Sequence, residues 1–173
     1  MPAKSVFVLG GAASGKSEWA ERRVESYGLP MVYLATGQVF DAEVEARVKI
    51  HQTRRHANWT TIEEPFDLSG VLSNLHSEQA VLIDCATMWL SNHLMQDQDL
   101  SAAQATLITA LQKCRAPWVI VSNEVGHGIV PDNALARQFR EAQGRLNIAL
   151  AAQAEVAVQV VAGLPQVLKG SLL

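Results

Sequence analysis

Eight residues near the start of the chain, Gly10-Gly11-Ala12-Ala13-Ser14-Gly15-Lys16-Ser17, carry the spacing G-x-x-x-x-G-K-[ST] directly behind the apolar run Val6-Phe7-Val8-Leu9. That arrangement is the signature of a loop that cradles the phosphates of a nucleoside triphosphate. Glycines let the backbone turn so that successive N–H groups face an anion, and a helix opening near Lys16 adds the positive end of its dipole. Lys16 is then placed to bridge the outer phosphates and Ser17 to hold Mg2+. A plain Gly-rich turn between a strand and a helix would need neither the lysine nor the serine that end the octet.

A loop of this kind needs a second acidic group for the metal, usually at the end of a neighbouring buried strand. Ala80-Val81-Leu82-Ile83-Asp84 supplies an apolar run ending in a carboxylate, and Asp84 is the candidate. The alternative is an aspartate that caps the next helix, near Thr87. With Lys16, Ser17 and Asp84 together, the chemistry on offer is phosphoryl or nucleotidyl transfer by positioning and charge neutralisation.

His51 shares a broad helix face with Arg47, Val48 and Arg54, at separations of three and four residues. Neutral imidazole is the nucleophilic form, and adjacent guanidinium groups favour it. Spacing alone leaves two readings open: an ordinary solvent-exposed histidine, or a nucleophile toward an α-phosphate. His56, His76, His93 and His127 are read as ordinary histidines.

The elements that must position these groups follow from periodicity. Short apolar runs alternate with longer amphipathic segments, the pattern of βαβ units around a mostly parallel sheet. Strands are predicted at 5–9, 31–35, 60–63, 80–85, 118–122 and 155–162, with a further short strand around 166–169. Helices are predicted at 16–27, 42–56, 66–75, 87–95, 101–114 and 133–154. Asp41 suits the N-cap of the second helix, with Glu43 and Glu45 in its first turn, and Pro131-Asp132-Asn133 announces the last. The expectation is an α/β chain forming one domain over residues 1–173.

Composition narrows the function classes. The chain has 173 residues, 49% apolar, enough for one ordinary core without staples. A net charge of −3 and the lack of a broad basic surface argue against nucleic acid and for a small-molecule partner. Cys85 and Cys114 lie in or beside apolar segments without metal-ligand spacing, which fits free thiols in a reducing cytosol. No apolar stretch approaches membrane-spanning length, and the short start is no signal peptide, so a cytoplasmic protein is expected.

Further motifs are more specific than the octet. They are Tyr33-Leu34-Ala35-Thr36, Asp41-x-Glu43 leading to Arg47-x-x-x-His51, Trp59-Thr60 and Asp84-Cys85. Most distinctive is Asn123-Glu124-Val125-Gly126-His127-Gly128-Ile129-Val130-Pro131, continuing into Arg137-Gln138-Phe139-Arg140 and Gly144-Arg145-Leu146-Asn147. On these residues, and over nearly its whole length, the chain resembles the bifunctional adenosylcobinamide kinase/adenosylcobinamide-phosphate guanylyltransferases of cobalamin biosynthesis.

The resemblance implies a RecA-like P-loop NTPase fold with three layers, a homotrimer, and a two-step reaction. A nucleoside triphosphate, ATP or GTP, phosphorylates the aminopropanol hydroxyl of adenosylcobinamide. GTP then donates GMP to that phosphate, giving adenosylcobinamide-GDP and pyrophosphate. It also implies that His51 is guanylylated as an intermediate, which divides one attack between two polyanions into two easier displacements. Arg47, Arg54 and Arg55 would shield the repulsion. Guanine-nucleotide contacts carry over onto Leu34, Ala35, Thr36, Gln52, Thr53, Arg54, Arg55, Glu63 and Asp84, with Mg2+ at Ser17 and Asp84. The corrinoid brings its own cobalt and is too large for a pocket in one small domain, which suits a cleft at a subunit boundary.

The chain departs from the family pattern at three places. Ala13 stands where the family often has Arg, Ile50 where some relatives carry a second His, and Ile148 where Gln is usual. Two competitors remain at this stage: a single-function P-loop kinase with His51 idle, and a nucleotide-gated binding protein. The sequence leaves open which triphosphate the kinase step prefers and whether both steps share one nucleotide site. A triphosphate seated for γ-transfer need not bring its α-phosphorus to His51.

Overall fold

Strands covered on both faces must be apolar along their whole length. Val6-Phe7-Val8, Val81-Leu82-Ile83 and Val119-Ile120-Val121 are such runs, and all nine residues are at most 1% exposed. The computed structural model describes residues 2–38 and 58–172 together with positions 46, 49 and 53. Among these, seven strands form one sheet: β1 (Ser5–Gly10), β2 (Met31–Ala35), β3 (Trp59–Glu63), β4 (Ala80–Asp84), β5 (Trp118–Asn123), β6 (Val156–Val161) and β7 (Leu164–Lys169). Their order across the sheet is β3-β2-β4-β5-β1-β6-β7. Every neighbouring pair is parallel except β6 with β7.

Helix α1 (Lys16–Glu25) covers one face, burying Ala20 and Val24 against Val6, Val8, Leu82, Val119, Val121 and Val158. The other face carries α2 (Leu68–Ser73), α3 (Ala86–Met95), α4 (Leu100–Lys113) and α5 (Ala134–Gln153). Leu68, Leu72, Trp89, Leu107, Leu111, Leu146 and Leu150 from these helices pack on Phe7, Val81, Ile83, Ile120 and Ala157. The result is a three-layer α/β fold in which the period-two alternation of each strand decides which helix layer a side chain meets.

The predicted strands and most predicted helices are present, with ends displaced by local chemistry. The helix expected over 66–75 is only Leu68–Ser73, because Asp67 stops it at its N-terminus by accepting from the Gly70 N–H at 2.9 Å. Asp99 and Asn133 cap α4 and α5 in the same way, accepting from the N–H groups of Ala102 and Ala136. Helix α3 is capped by Cys85, whose Sγ accepts from Met88 N–H at 3.4 Å; the reading of Asp84 as that cap is thereby corrected. The last strand is longer than 166–169 and pairs antiparallel with β6 through a turn at Ala162-Gly163, both at positive φ (52° and 77°). Lys169 Nζ donates to the carbonyls of Ala151, Ala152 and Ala154 at 2.6–3.0 Å, tying β7 to the end of α5. The helix predicted over 42–56 lies outside the described residues apart from Ala46, Lys49 and Thr53, which are helical.

The bond from Gly70 N–H, and then that from the Ser69 hydroxyl, hold the Asp67 carboxyl below its ordinary value of 3.8. A depressed folded value contributes stability that is present above the unfolded pKa and lost as pH falls through the folded one. Asp67→Ala is therefore expected to lower the unfolding free energy by about 1 kcal/mol at neutral pH. In paired urea titrations the gap between variant and wild type should close as pH falls below 3.8.

Candidate nucleotide site

The octet joins β1 to α1 as a tight loop. Gly15 sits at φ 88° in the left-handed region, where glycine carries no Cβ penalty, and turns the chain into the helix. Trp19 N–H is bonded to Gly15 O, so the N–H groups of Lys16, Ser17 and Glu18 open the helix with no acceptor one turn back within it. Lys16 Nζ donates to Gly11 O at 2.9 Å, spanning the loop. Ser14 Oγ is buried without a partner, an orphan polar atom inside the cradle. Gly10 is packed too closely for any side chain: a Cβ there would lie 2.4 Å from Ser14 Oγ and 2.9 Å from Val160 O.

Two neighbours hold this loop in shape. Glu124, just past β5, donates its N–H to Gly10 O at 3.0 Å. Gly163, in the β6–β7 turn, donates its N–H to Ser14 O at 2.7 Å, and its Cα would stand 3.0 Å from a Cβ on Gly15. Neither support was legible in the octet itself. Only the pairing of β6 beside β1 brings position 163 next to position 14.

Asp84 ends β4, two strands from β1 with β5 between, roughly 10 Å across the sheet. Ala80 and Leu82 face the α1 layer, and the alternation puts Asp84 on that same face, the one carrying Lys16 and Ser17. Asp84 is half-buried, and its Oδ2 accepts from the Tyr33 hydroxyl at 2.7 Å. The adjacent Cys85 thiol is pushed up to about 12, mainly by burial and then by the Asp84 charge, so it is no nucleophile near neutral pH. Lys16 partly opposes that rise, which places its ammonium within electrostatic reach of the β4 end.

Other predicted contacts divide by position. Leu34 and Thr36 are both 0% exposed. The Thr36 hydroxyl donates to Cys85 O at 2.7 Å and accepts from Cys85 N–H at 2.8 Å. Its backbone is also committed, to Asp84 O and Asn92 Nδ2. In this structure both side chains are occupied inside the protein: Leu34 fills the core, and Thr36 fastens β2 to the start of α3. Ala35 is half-exposed and Glu63 is exposed, paired across the ends of β2 and β3. Glu63 lies four strand steps from β1, roughly 19 Å across the sheet from the phosphate loop. Thr53 is exposed, with its hydroxyl bonded to Lys49 O at 2.7 Å. His51, Gln52, Arg54 and Arg55 lie outside the described residues.

The block from Asn123 to Pro131 wraps the same edge. Arg140 donates to Gly126 O and Ile129 O, and Arg137 to Pro131 O and Asp132 O, so α5 holds the loop by its carbonyls. Behind it, Gln143 Nε2 bridges Ser122 Oγ and Asn147 Oδ1, each at 2.9 Å. Hollows among the described residues also lie away from this edge. One of about 710 Å3 between α2 and α4 is lined by Ser69, Ser73, Thr106 and Thr109, with Lys113 and Arg115 near the opposite ends of the strands. It has no acid–base pair and no contact with the phosphate loop.

The family whose sequence pattern matches residues 6–168 is CobU, described as cobinamide kinase / cobinamide phosphate guanyltransferase. The bifunctional adenosylcobalamin biosynthesis protein CobP of Pseudomonas aeruginosa is 41% identical over 169 residues, covering 96% of this chain and 98% of the relative. Proteins named CobU with the same description match at 36% identity in Escherichia coli and 38% in Salmonella typhimurium, each covering 92% of this chain and 96% of the relative. Among solved structures, a Pyrococcus horikoshii protein described as project PH0250 superposes with TM-score 0.55 at 10% identity, covering 98% of this chain and 88% of that one. The flagellar accessory protein FlaH of Methanocaldococcus jannaschii gives TM-score 0.52 at 12% identity, covering 99% and 80%. These two likenesses concern the fold alone, a three-layer α/β arrangement around a mostly parallel sheet.

The loop geometry separates two kinds of variant. Lys16→Ala removes a side chain whose one hydrogen bond among the described residues is to Gly11 O, and it is expected to cost at least about tenfold in triphosphate affinity with little change in melting temperature. Gly10→Ala is expected to lower both affinity and melting temperature, because its methyl group must displace Ser14 or Val160 backbone. Calorimetric titration with GTP alongside thermal melts measures both.

Proposed function

Since this chain belongs to the cobinamide kinase / cobinamide phosphate guanyltransferase family, we propose that it phosphorylates adenosylcobinamide and then transfers GMP from GTP to the new phosphate, through a guanylylated His51. The observation that carries this reading is the near full-length match to bifunctional relatives combined with a phosphate loop kept intact from Gly10 to Ser17. The chain acts as one domain, in a reducing cytoplasm where Cys85 and Cys114 stay thiols. No helix among the described residues is long and apolar enough to cross a membrane.

In the first step, the backbone N–H groups of residues 12–17 and Lys16 Nζ bind the triphosphate, ATP or GTP, and leave the γ-phosphorus open to the acceptor hydroxyl. The Ser17 hydroxyl and the free Asp84 oxygen are oxygen donors of the type Mg2+ takes, and both belong to the α1 side of the sheet. Bound there, Mg2+ would neutralise phosphate charge. In the second step, neutral His51 attacks the α-phosphorus of GTP: an N–P bond forms as the P–O bond to pyrophosphate breaks. An oxygen of cobinamide phosphate then attacks the same phosphorus, releasing the imidazole. The 34–36 segment, Leu34-Ala35-Thr36, together with Thr53, Glu63 and the neighbours of His51, namely Gln52, Arg54 and Arg55, would take the guanine nucleotide. Placing Glu63 roughly 19 Å across the sheet from the phosphate loop favours two nucleotide poses over one.

The corrinoid is best held between subunits of a homotrimer. Edge strand β7 leaves Leu164, Val167 and Leu168 exposed, and Ile129 and Val130 stand exposed on the loop that α5 clamps. These are apolar surfaces that assembly would cover. Sedimentation at micromolar protein is expected to give a trimer; a fully active monomer would rule out a shared cleft.

Incubation with GTP radiolabelled at its α-phosphorus is expected to give an acid-labile protein adduct that His51→Ala abolishes. The same variant should still form phosphorylated cobinamide. No adduct in the wild type, with the kinase step intact, leaves a single-function kinase in which His51 is idle.

A further inference from the structure

Tyr33 sits at the middle of β2, 6% exposed, with Leu82 of β4 as its register partner. It packs in the α1-side core, its ring edge-on to Trp59 at a centroid distance of 6.3 Å. Phenylalanine would fill that space equally well, so the reason for a tyrosine lies in what its hydroxyl touches. It donates to Asp84 Oδ2 at 2.7 Å. Oδ1 of the same carboxylate has no hydrogen bond among the described residues.

We propose that Tyr33 is a positioning residue of the metal–nucleotide site: by holding Oδ2 from a buried, rigid ring, it fixes the Asp84 rotamer and reserves Oδ1 for the Mg2+ of the bound triphosphate. This rests on the reading of Asp84 as the metal carboxylate. An aspartate on a strand end has several staggered rotamers available, and freezing one of them before the ligand arrives removes that cost from binding. Donors that orient a metal's carboxylate act on affinity for the metal and leave the rest of the ligand's contacts alone. The Tyr33–Asp84 bond crosses from β2 to β4, so the carboxylate is braced by the sheet and not by the phosphate loop it faces.

The test compares wild type, Tyr33→Phe, Asp84→Asn and the double variant. GTP affinity is measured by calorimetry with Mg2+ and again with EDTA, and Mn2+ binding to the GTP complex by electron paramagnetic resonance. Tyr33→Phe is expected to weaken Mn2+ and Mg2+–GTP binding about tenfold, to leave affinity in EDTA unchanged, and to add nothing in the Asp84→Asn background. Trp59→Phe, which alters only the ring's packing, is the structural comparator: it should lower the melting temperature without moving the ratio of the two affinities. Tyr33→Phe that behaves like Trp59→Phe, or that loses affinity equally with and without metal, overturns the assignment of Tyr33. Asp84→Asn that keeps full metal affinity overturns the role of Asp84, and Tyr33 with it.

Discussion

The chemistry of this protein depends on a constraint of sheet order. Because β1, β5 and β4 lie side by side and parallel, their carboxyl ends come out at one edge. The phosphate loop follows the first of these strands, the Asn123 loop the second and Asp84 ends the third. Parallel strands bond evenly along their length, and each of these is buried on both faces, so register between them is tightly specified. A carboxylate and a lysine from distant parts of the sequence are thereby held at a spacing that no local segment could maintain. The apolar character of the strands, which has no chemistry of its own, is what makes the polar edge accurate.

Around that edge the polar groups are arranged in tiers. Lys16 and the loop N–H groups are available to ligand, while Thr36, Gln143 and Asn147 are consumed in holding strand ends to α3 and α5. Arg137 and Arg140 spend their guanidinium groups on backbone carbonyls of the 126–132 loop, which lets an exposed Ile129 stand on ordered backbone. Burial separates the tiers, the Thr36 hydroxyl and backbone being engaged inside the protein.

Much of this was legible in the sequence, for identifiable reasons. The octet, the apolar run into Asp84 and the alternation of strand and helix are local signals, and each appears where its spacing placed it. Helix ends moved where a side chain intervened, as Asp67 does at α2. The burial of Leu34 and Thr36 was not legible, because a motif gives residue types and not which face of a strand they occupy. The Gly163 support and the Tyr33–Asp84 bond depend on which strands become neighbours, and no run of residues encodes that by itself. The stretch carrying His51 lies outside the described residues, and spacing alone leaves that histidine open, so the proposal of a nucleophile there rests on the family.

The bond from Gly163 N–H to Ser14 O has a consequence for biogenesis. Translation makes the cradle early and its brace late, since position 163 leaves the ribosome long after position 14. A nascent chain with the octet already exposed lacks both β6 alongside β1 and the turn that buttresses the loop. The braced form of the cradle therefore exists only once the closing hairpin has been made.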